Sequence, residues 1–255
     1  MKIERFECGT PQTAAARALA QWLSTVETDR SYLPMMQYRI AGHAAKECTD
    51  VYFIATEEDR AVSRLWHGWG NHPGAIGNFG NFMTDESLRG QGVGRQMLKV
   101  WEEDLQSRSD RPIGLFCSAV NGFLIDMYGK YGFTQAVIKP TFSMLYKPLD
   151  GSPATFAELC EEYYCSAQSL TVQPATVGWR HEIDLMLKFA LASVGESIGL
   201  PGCKTLEEAI VWPHIGKAQL LVTEKDRPVG WSFTGTDGIT HWQIHPKYRN
   251  QFQPE

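Results

Sequence analysis

Three glycines at alternate positions, in Arg89-Gly90-Gln91-Gly92-Val93-Gly94-Arg95, constrain this chain more than any other stretch. They stand between residues 75–84, which have strand character, and a segment in which Met97, Leu98, Trp101 and Leu105 share one helical face. Glycine removes the Cβ where a chain must turn sharply, so successive N–H groups can converge on an anion. The helix that follows adds the positive end of its dipole, and Arg89 and Arg95 add full charges. The pattern reads as a phosphate or pyrophosphate cradle. Its bland alternative is a strand-to-helix turn with packing glycines. A P-loop needs Gly-Lys-Ser/Thr at its end, and Gly94-Arg95-Gln96 does not supply it. A dinucleotide fingerprint needs GxGxxG and an acidic residue at the end of the next strand, where Ser118 and Ala119 stand.

Elements alternate around this turn. Lys2 to Phe6 is a short strand, and Leu19, Trp22, Leu23 and Val26 mark an amphipathic helix. Residues 51–56 and 61–67 form a hairpin around Glu57-Glu58-Asp59-Arg60. Residues 113–118 are the next strand, Asn121 opens a helix, and 133–138 with 141–147 make a hairpin around Lys139-Pro140. The glycine- and proline-bearing stretch 147–153 reads as a linker. Beyond it, Thr155 to Glu158 and Thr205 to Glu208 are capping boxes. Ile183, Leu187, Ala190, Leu191 and Val194 mark a longer helix, and 219–223, 229–234 and 239–244 are strands, with Asp237-Gly238 a hairpin turn. Ala55 to Val62 aligns with Val222 to Val229, and Leu88 to Gly92 with Tyr248 to Phe252, which points to a degenerate internal duplication.

Asn121-Gly122-Phe123-Leu124-Ile125-Asp126-Met127-Tyr128-Gly129-Lys130-Tyr131-Gly132-Phe133 puts Asn at a helix start, Tyr two turns on and Gly at the helix end. With the glycine turn upstream, this pattern resembles the GNAT superfamily of acetyl-CoA-dependent N-acetyltransferases. The family's Arg/Gln-x-x-Gly-x-Gly/Ala is matched by Arg89, Gly92 and Gly94, and its Asn-x6-Tyr-x3-Gly-Phe by Asn121, Tyr128, Gly132 and Phe133. The order of elements over residues 1–147 fits as well.

The resemblance implies an α/β (α+β) fold with a mixed, mostly antiparallel sheet flanked by helices. It implies a V-shaped opening between the fourth and fifth strands that takes acetyl-CoA as co-substrate. Backbone groups of Phe82, Met83 and Thr84 would pair with the pantetheine arm, and Gly90, Gln91, Gly92, Val93, Gly94 and Arg95 would hold the pyrophosphate. Asn121 would contact the cofactor arm, and Tyr128 would protonate the departing thiolate. The family's usual glutamate base is missing: Phe116 stands at the fifth-strand position, and the fourth strand offers Asn78 and Asn81. His67, His72, Glu57, Glu58 and Asp85 are candidates by location only. The stretch Trp66 to Gly74 reads either as a substrate wall or as a packed surface loop.

Residues 1–150 are thus expected to be the acetyltransferase domain. Residues 151–255 are expected to be a smaller α+β, GNAT-like accessory domain, catalytically dead because Asn250 and Phe252 replace two glycines. The chain has 255 residues and a net charge of −5, a poor match for nucleic acid and a better one for a cationic acceptor. No stretch approaches the ~20 apolar residues of a membrane span. The N-terminal residues lack a signal-peptide core, so a cytoplasmic location is expected, with no membrane partner. The six cysteines show no metal spacing and are read as reduced thiols, Cys160 and Cys165 on one helix; no metal is expected. The leading function is acetyl transfer to a primary amine of a small molecule or a protein by direct attack in a ternary complex. A non-catalytic acyl-CoA-binding module is the main alternative, nucleic-acid or aminoacyl-tRNA modification a lesser one, and a homodimer is admitted.

Overall fold

The computed structural model describes all residues except 27–31, 139–142, 150, 197–198 and 254–255. The fold is mixed α/β, with a large, mostly antiparallel sheet flanked by helices and a smaller second sheet. Contacts divide the chain into two compact units, Met1–Pro112 and Ile113–Glu255.

In the first unit, β1 (Lys2–Glu7) is followed by helices α1 (Ala14–Val26) and α2 (Tyr32–Ile40). Strands β2 (Cys48–Glu57), β3 (Arg60–Gly70) and β4 (Ile76–Thr84) and helix α3 (Val93–Ser107) complete it. The strands lie in the order β1-β2-β3-β4, each pair antiparallel. The apolar stripe of α1 buries Leu19, Trp22 and Leu23 against Phe6, Tyr52, Ile54 and Trp66 of the sheet. Thr13 caps α1 by accepting a hydrogen bond from the Ala16 N–H at 3.2 Å. The β2–β3 turn holds Glu58 and Asp59 at φ 50° and 61°, the left-handed pair that matches strand twist in a two-residue hairpin.

Trp66 to Gly70 belong to β3 rather than to a loop, and all five are buried. Both faces of β3 are covered, so its sequence loses the polar alternation that marks a half-exposed strand. Neither a substrate wall nor a surface loop fits the tryptophans. Trp66 donates to Asp50 at 2.9 Å, and only the short stretch after Gly70 remains as a turn.

In the second unit, β5 (Gly114–Ala119), β6 (Thr134–Ile138) and β7 (Ser143–Pro148) lie in the order β5-β7-β6, with α4 (Gly122–Gly129) between β5 and β6. The turn expected at Lys139-Pro140 lies outside the described residues. The linker closes on itself: Ser152 Oγ accepts from the Leu149 N–H at 3.0 Å, and the Tyr146 hydroxyl donates to the Pro153 carbonyl at 3.1 Å. Helix α5 (Phe156–Tyr163) opens on a complete capping box between Thr155 and Glu158. It ends before Cys165, so Cys160 and Cys165 do not share a helix. None of the six cysteines is in a disulfide.

Farther on come β8 (Leu170–Pro174), a π-helical stretch Glu182–Leu187 running into α6 (Lys188–Ser193), and α7 (Leu206–Val211). Strands β9 (Gly216–Thr223), β10 (Pro228–Gly235) and β11 (Thr240–Ile244) then build a sheet ordered β11-β10-β9-β8, again antiparallel throughout. At α7 only half of the expected capping box forms. Thr205 accepts from the Glu208 N–H at 3.0 Å, but the Glu208 carboxylate accepts from Lys204 N–H at 2.8 Å instead of Thr205. The first two amides of α7 donate to the half-buried Asp184 carboxylate, at 2.6 and 3.2 Å.

Candidate functional site

The glycine turn follows a strand that does not run regularly to its end. Arg64 faces Met83 while Trp66 faces Gly80, so β4 carries one residue more than β3 across this interval. Asn81 takes it up at φ 55° as a β-bulge. Its carbonyl accepts from Arg64 Nε at 3.2 Å and its amide donates to Met36 Sδ at 2.9 Å. Past the bulge, Phe82, Met83 and Thr84 finish the strand, with Ser63 Oγ donating to the Met83 carbonyl at 2.9 Å.

Asp85 then caps a single 3-10 turn, Glu86–Leu88, its Oδ1 accepting from Ser87 N–H at 3.0 Å and from Ser87 Oγ at 2.7 Å. Those hydrogen bonds hold its carboxyl below the usual range, so Asp85 is an ionised cap. Gly90 and Gly92 both have positive φ, 80° and 83°, and Gly92 is the N-cap of α3. It offers α3 no side-chain acceptor, and the first backbone bond of the helix is Gln96 N–H to Gly92 O at 3.1 Å. The amides of Val93, Gly94 and Arg95 thus stand ahead of the intrahelical ladder, at the positive end of a 15-residue helix. A Cβ built at Gly90 or Gly92 meets nothing within 4 Å, which leaves room for an anion. At Gly94 the same Cβ would come within 3.2 Å of the Phe82 ring, so this glycine makes room for a strand residue.

Two side chains expected to serve the cradle also brace it. Arg89 donates from Nε to the Thr84 carbonyl at 3.2 Å and from a terminal nitrogen to Glu86 at 3.1 Å. Gln91 donates to the Ser87 carbonyl at 2.9 Å. Arg95 is exposed on the first turn of α3.

In the second unit, Asn121 is the N-cap of α4, accepting from the Leu124 N–H at 3.0 Å. Tyr128 lies two turns along, 5% exposed, its ring 6.0 Å from that of Phe133. Burial, with Cys117 nearby, raises its phenol well above the ordinary tyrosine value, so the proton is firmly held. Gly132, at φ 83°, ends this segment in the left-handed conformation.

The candidate bases fare differently. His67 is fully buried in β3, its Nδ1 accepting from Trp101 Nε1 at 3.0 Å. Desolvation, aided by Arg108 and Arg5, lowers its pKa well below the ordinary value. Glu57 ends β2 and Glu58 stands in the turn after it, both exposed, and His72 lies in the turn after β3. Phe116 is core, packed on Tyr146 and Phe156. What sequence reasoning missed is the Asn81 bulge, whose only signal is an Asn between Gly80 and Phe82, in a residue type that tolerates positive φ.

Residues 16–133 match the family model described as Acetyltransferase (GNAT) family. That stretch of the chain is similar to a GNAT acetyltransferase domain. A search of curated proteins finds no match. Among solved structures, the chain is similar to an acyl-CoA N-acyltransferase from Pseudomonas aeruginosa at 17% identity and a TM-score of 0.43, over 57% of this chain and 99% of that one. It is similar to ElaA from Escherichia coli at 17% identity and a TM-score of 0.42, over 57% and 99%. It is also similar to NAA60 from Arabidopsis thaliana, solved with a bisubstrate analogue, at 10% identity and 0.42, over 59% and 100%.

Proposed function

We propose that this GNAT domain moves an acetyl group from acetyl-CoA to a primary amine by direct attack in a ternary complex. The acceptor is a small cationic metabolite, an antibiotic or a protein amine. The observation that carries the reading is the uncapped start of α3 behind Gly90 and Gly92: three helix amides and open space directly after a bulged strand. That arrangement suits the pyrophosphate of acetyl-CoA. Phe82, Met83 and Thr84 are proposed to meet the pantetheine amides and Asn121 the cofactor arm.

In the reaction, the neutral amine attacks the thioester carbonyl carbon, the C–S bond breaks, and the thiolate takes the phenolic proton of Tyr128. Burial keeps the phenol protonated at neutral pH but makes it a weaker acid than an ordinary thiol, so the transfer goes forward only as the phenolate regains a proton from solvent. Positioning supplies the remainder of the rate. With no protein base assigned, the attacking nitrogen gives up its own proton to solvent water, and the Tyr128 phenolate is reprotonated from solvent. Asp85 is engaged as a cap and His67 is sealed in the core.

That lack favours one second reading, a non-catalytic acyl-CoA-binding module. Thiol release from acetyl-CoA, measured against a panel of polyamines, amino acids, aminoglycosides and peptide amines, separates the two. Turnover on any amine supports the enzyme, and tight acetyl-CoA binding without turnover supports the module.

Residues 1–150 are proposed as the acetyltransferase domain and 151–255 as a degenerate GNAT-like domain. What supports the second assignment is a shared local plan. The strands β8 to β11 repeat the antiparallel order of β1 to β4. After the last strand of each, a side-chain-capped 3-10 turn follows, and an arginine Nε donates to the carbonyl of the strand's final residue: Arg89 to Thr84 at 3.2 Å, Arg249 to Ile244 at 3.1 Å.

A further inference from the structure

The end of β11 adjoins a cavity of about 420 Å³. Leu200, Trp242 and Ile244 give it apolar walls, and Glu196, His241 and Arg249 give it polar ones. Its volume falls in the range of small-ligand sites. Arg249 and Glu196 form a two-pronged ion pair at its edge, with side chains 44% and 33% exposed. An ion pair this exposed contributes little to stability, so its two ends can exchange partners at little cost.

The backbone adds a donor. His245 N–H bonds to Val229 O at 2.9 Å and Gly235 N–H to Ile239 O at 3.1 Å. Both fall in the one continuous register that pairs β11 with β10, so the odd-numbered residues of β11 bond to β10. Trp242 and Ile244 are even-numbered, and β11 is the last strand of its sheet. Their N–H groups therefore point away from β10, along the free edge. The Ile244 carbonyl is taken by Arg249, and the Trp242 amide remains on the free edge of the segment that lines the cavity.

The contrast with the glycine turn narrows the ligand. After β4 the chain opens through Gly90 and Gly92 into a row of helix amides that suits two phosphates. After β11 it stays in 3-10 conformation over Pro246–Gln251, with no positive φ and no such row. What remains is one guanidinium and one edge amide for a single carboxylate, one carboxylate for an ammonium, and apolar walls. We propose that this cavity binds a free α-amino acid with an apolar side chain, its carboxylate on Arg249 and its ammonium on Glu196. The zwitterion replaces one ion pair with two of the same kind, so neither protein charge is left unpaired. The side chain lies against Leu200, Trp242 and Ile244.

Calorimetric titration of the full chain with L-leucine and L-phenylalanine tests this, beside two leucine analogues that each lack one charge, 3-methylbutylamine and 4-methylpentanoate. Saturable binding of the amino acids at millimolar concentration or below is expected, with both analogues weaker by about ten-fold or more. Glu196→Gln and Arg249→Gln should each weaken leucine by a similar factor. Glu196→Gln keeps the Arg249–Ile244 bond and serves where Arg249→Gln disturbs folding, as judged by circular dichroism. No heat with either amino acid, equal binding by the analogues, or undiminished binding by Glu196→Gln overturns the proposal. The outcome is independent of acetyl transfer, because binding of leucine as an acceptor elsewhere would survive the Glu196→Gln change.

Discussion

At Gly92 the backbone sits at φ 83° and a Cβ would meet nothing within 4 Å, so torsion excludes a side chain there and space does not. Gly94 has an ordinary φ but faces the Phe82 ring at 3.2 Å, so there the reverse holds. Gly92→Val is expected to cost about 1–2 kcal/mol in urea unfolding. It should also weaken acetyl-CoA by about ten-fold or more in calorimetry, because the displaced amides no longer converge. Gly94→Ala asks only for a small shift of Phe82 and should be milder on both counts. An unchanged acetyl-CoA affinity in Gly92→Val would contradict the cradle. Tyr128→Phe should lower kcat by about ten- to a hundred-fold with the acetyl-CoA affinity nearly unchanged. An equal loss of both would mark Tyr128 as packing. The sequence made these positions legible because glycine spacing and an Asn–Tyr–Gly trio are local signals. It could not show that Arg89 also bonds to Thr84 and Glu86, since that depends on where the strand ends in space.

Elements with a clean period were readable: α1 and α3 from their apolar stripes, the β2–β3 and β10–β11 hairpins from their turns. Helix α2 was not, because Pro34 stands near its start, where a missing N–H costs nothing. Strand β8 was not either, being five residues ending in proline at a sheet edge. The far half of β3 was misread because Gly68 and Gly70 look like loop residues, although burial on both faces makes them part of a core strand. The junction of the π-helix with α7 carries a prediction at this scale. Burial raises the Asp184 carboxyl to about 7, against the help of the Leu206 and Glu207 amides and Lys188. A raised carboxyl favours the folded state most when protonated, so its contribution is full below about pH 4 and is lost as pH rises to about 7. In Asp184→Asn that loss is absent. Urea unfolding from pH 4 to 8 should show the wild type falling relative to Asp184→Asn by up to about 1.4 kcal/mol per pH unit, with no further fall above about 7. Parallel curves would refute the assignment.

Over the whole chain, a net charge of −5 surrounds a turn proposed to hold an anion. Long-range attraction therefore acts on a cationic acceptor rather than on acetyl-CoA. The KM of a polyamine acceptor should rise with ionic strength from low salt to about 0.15 M, while that of a neutral or zwitterionic amine stays flat. Salt-independent KM values for both would remove charge as a selector. The alignment of Ala55–Val62 with Val222–Val229 marks two hairpins, β2–β3 and β9–β10, whereas the contact division at Pro112–Ile113 carries no mark in composition. The parity of β11 also has a temporal consequence. Along one short strand, the amide hydrogens of His241, Gln243 and His245 are locked to β10 and should exchange with heavy water slowly. Those of Trp242 and Ile244 should exchange quickly, giving an odd–even clock that a molecule seated on the edge would stop on its even beats alone.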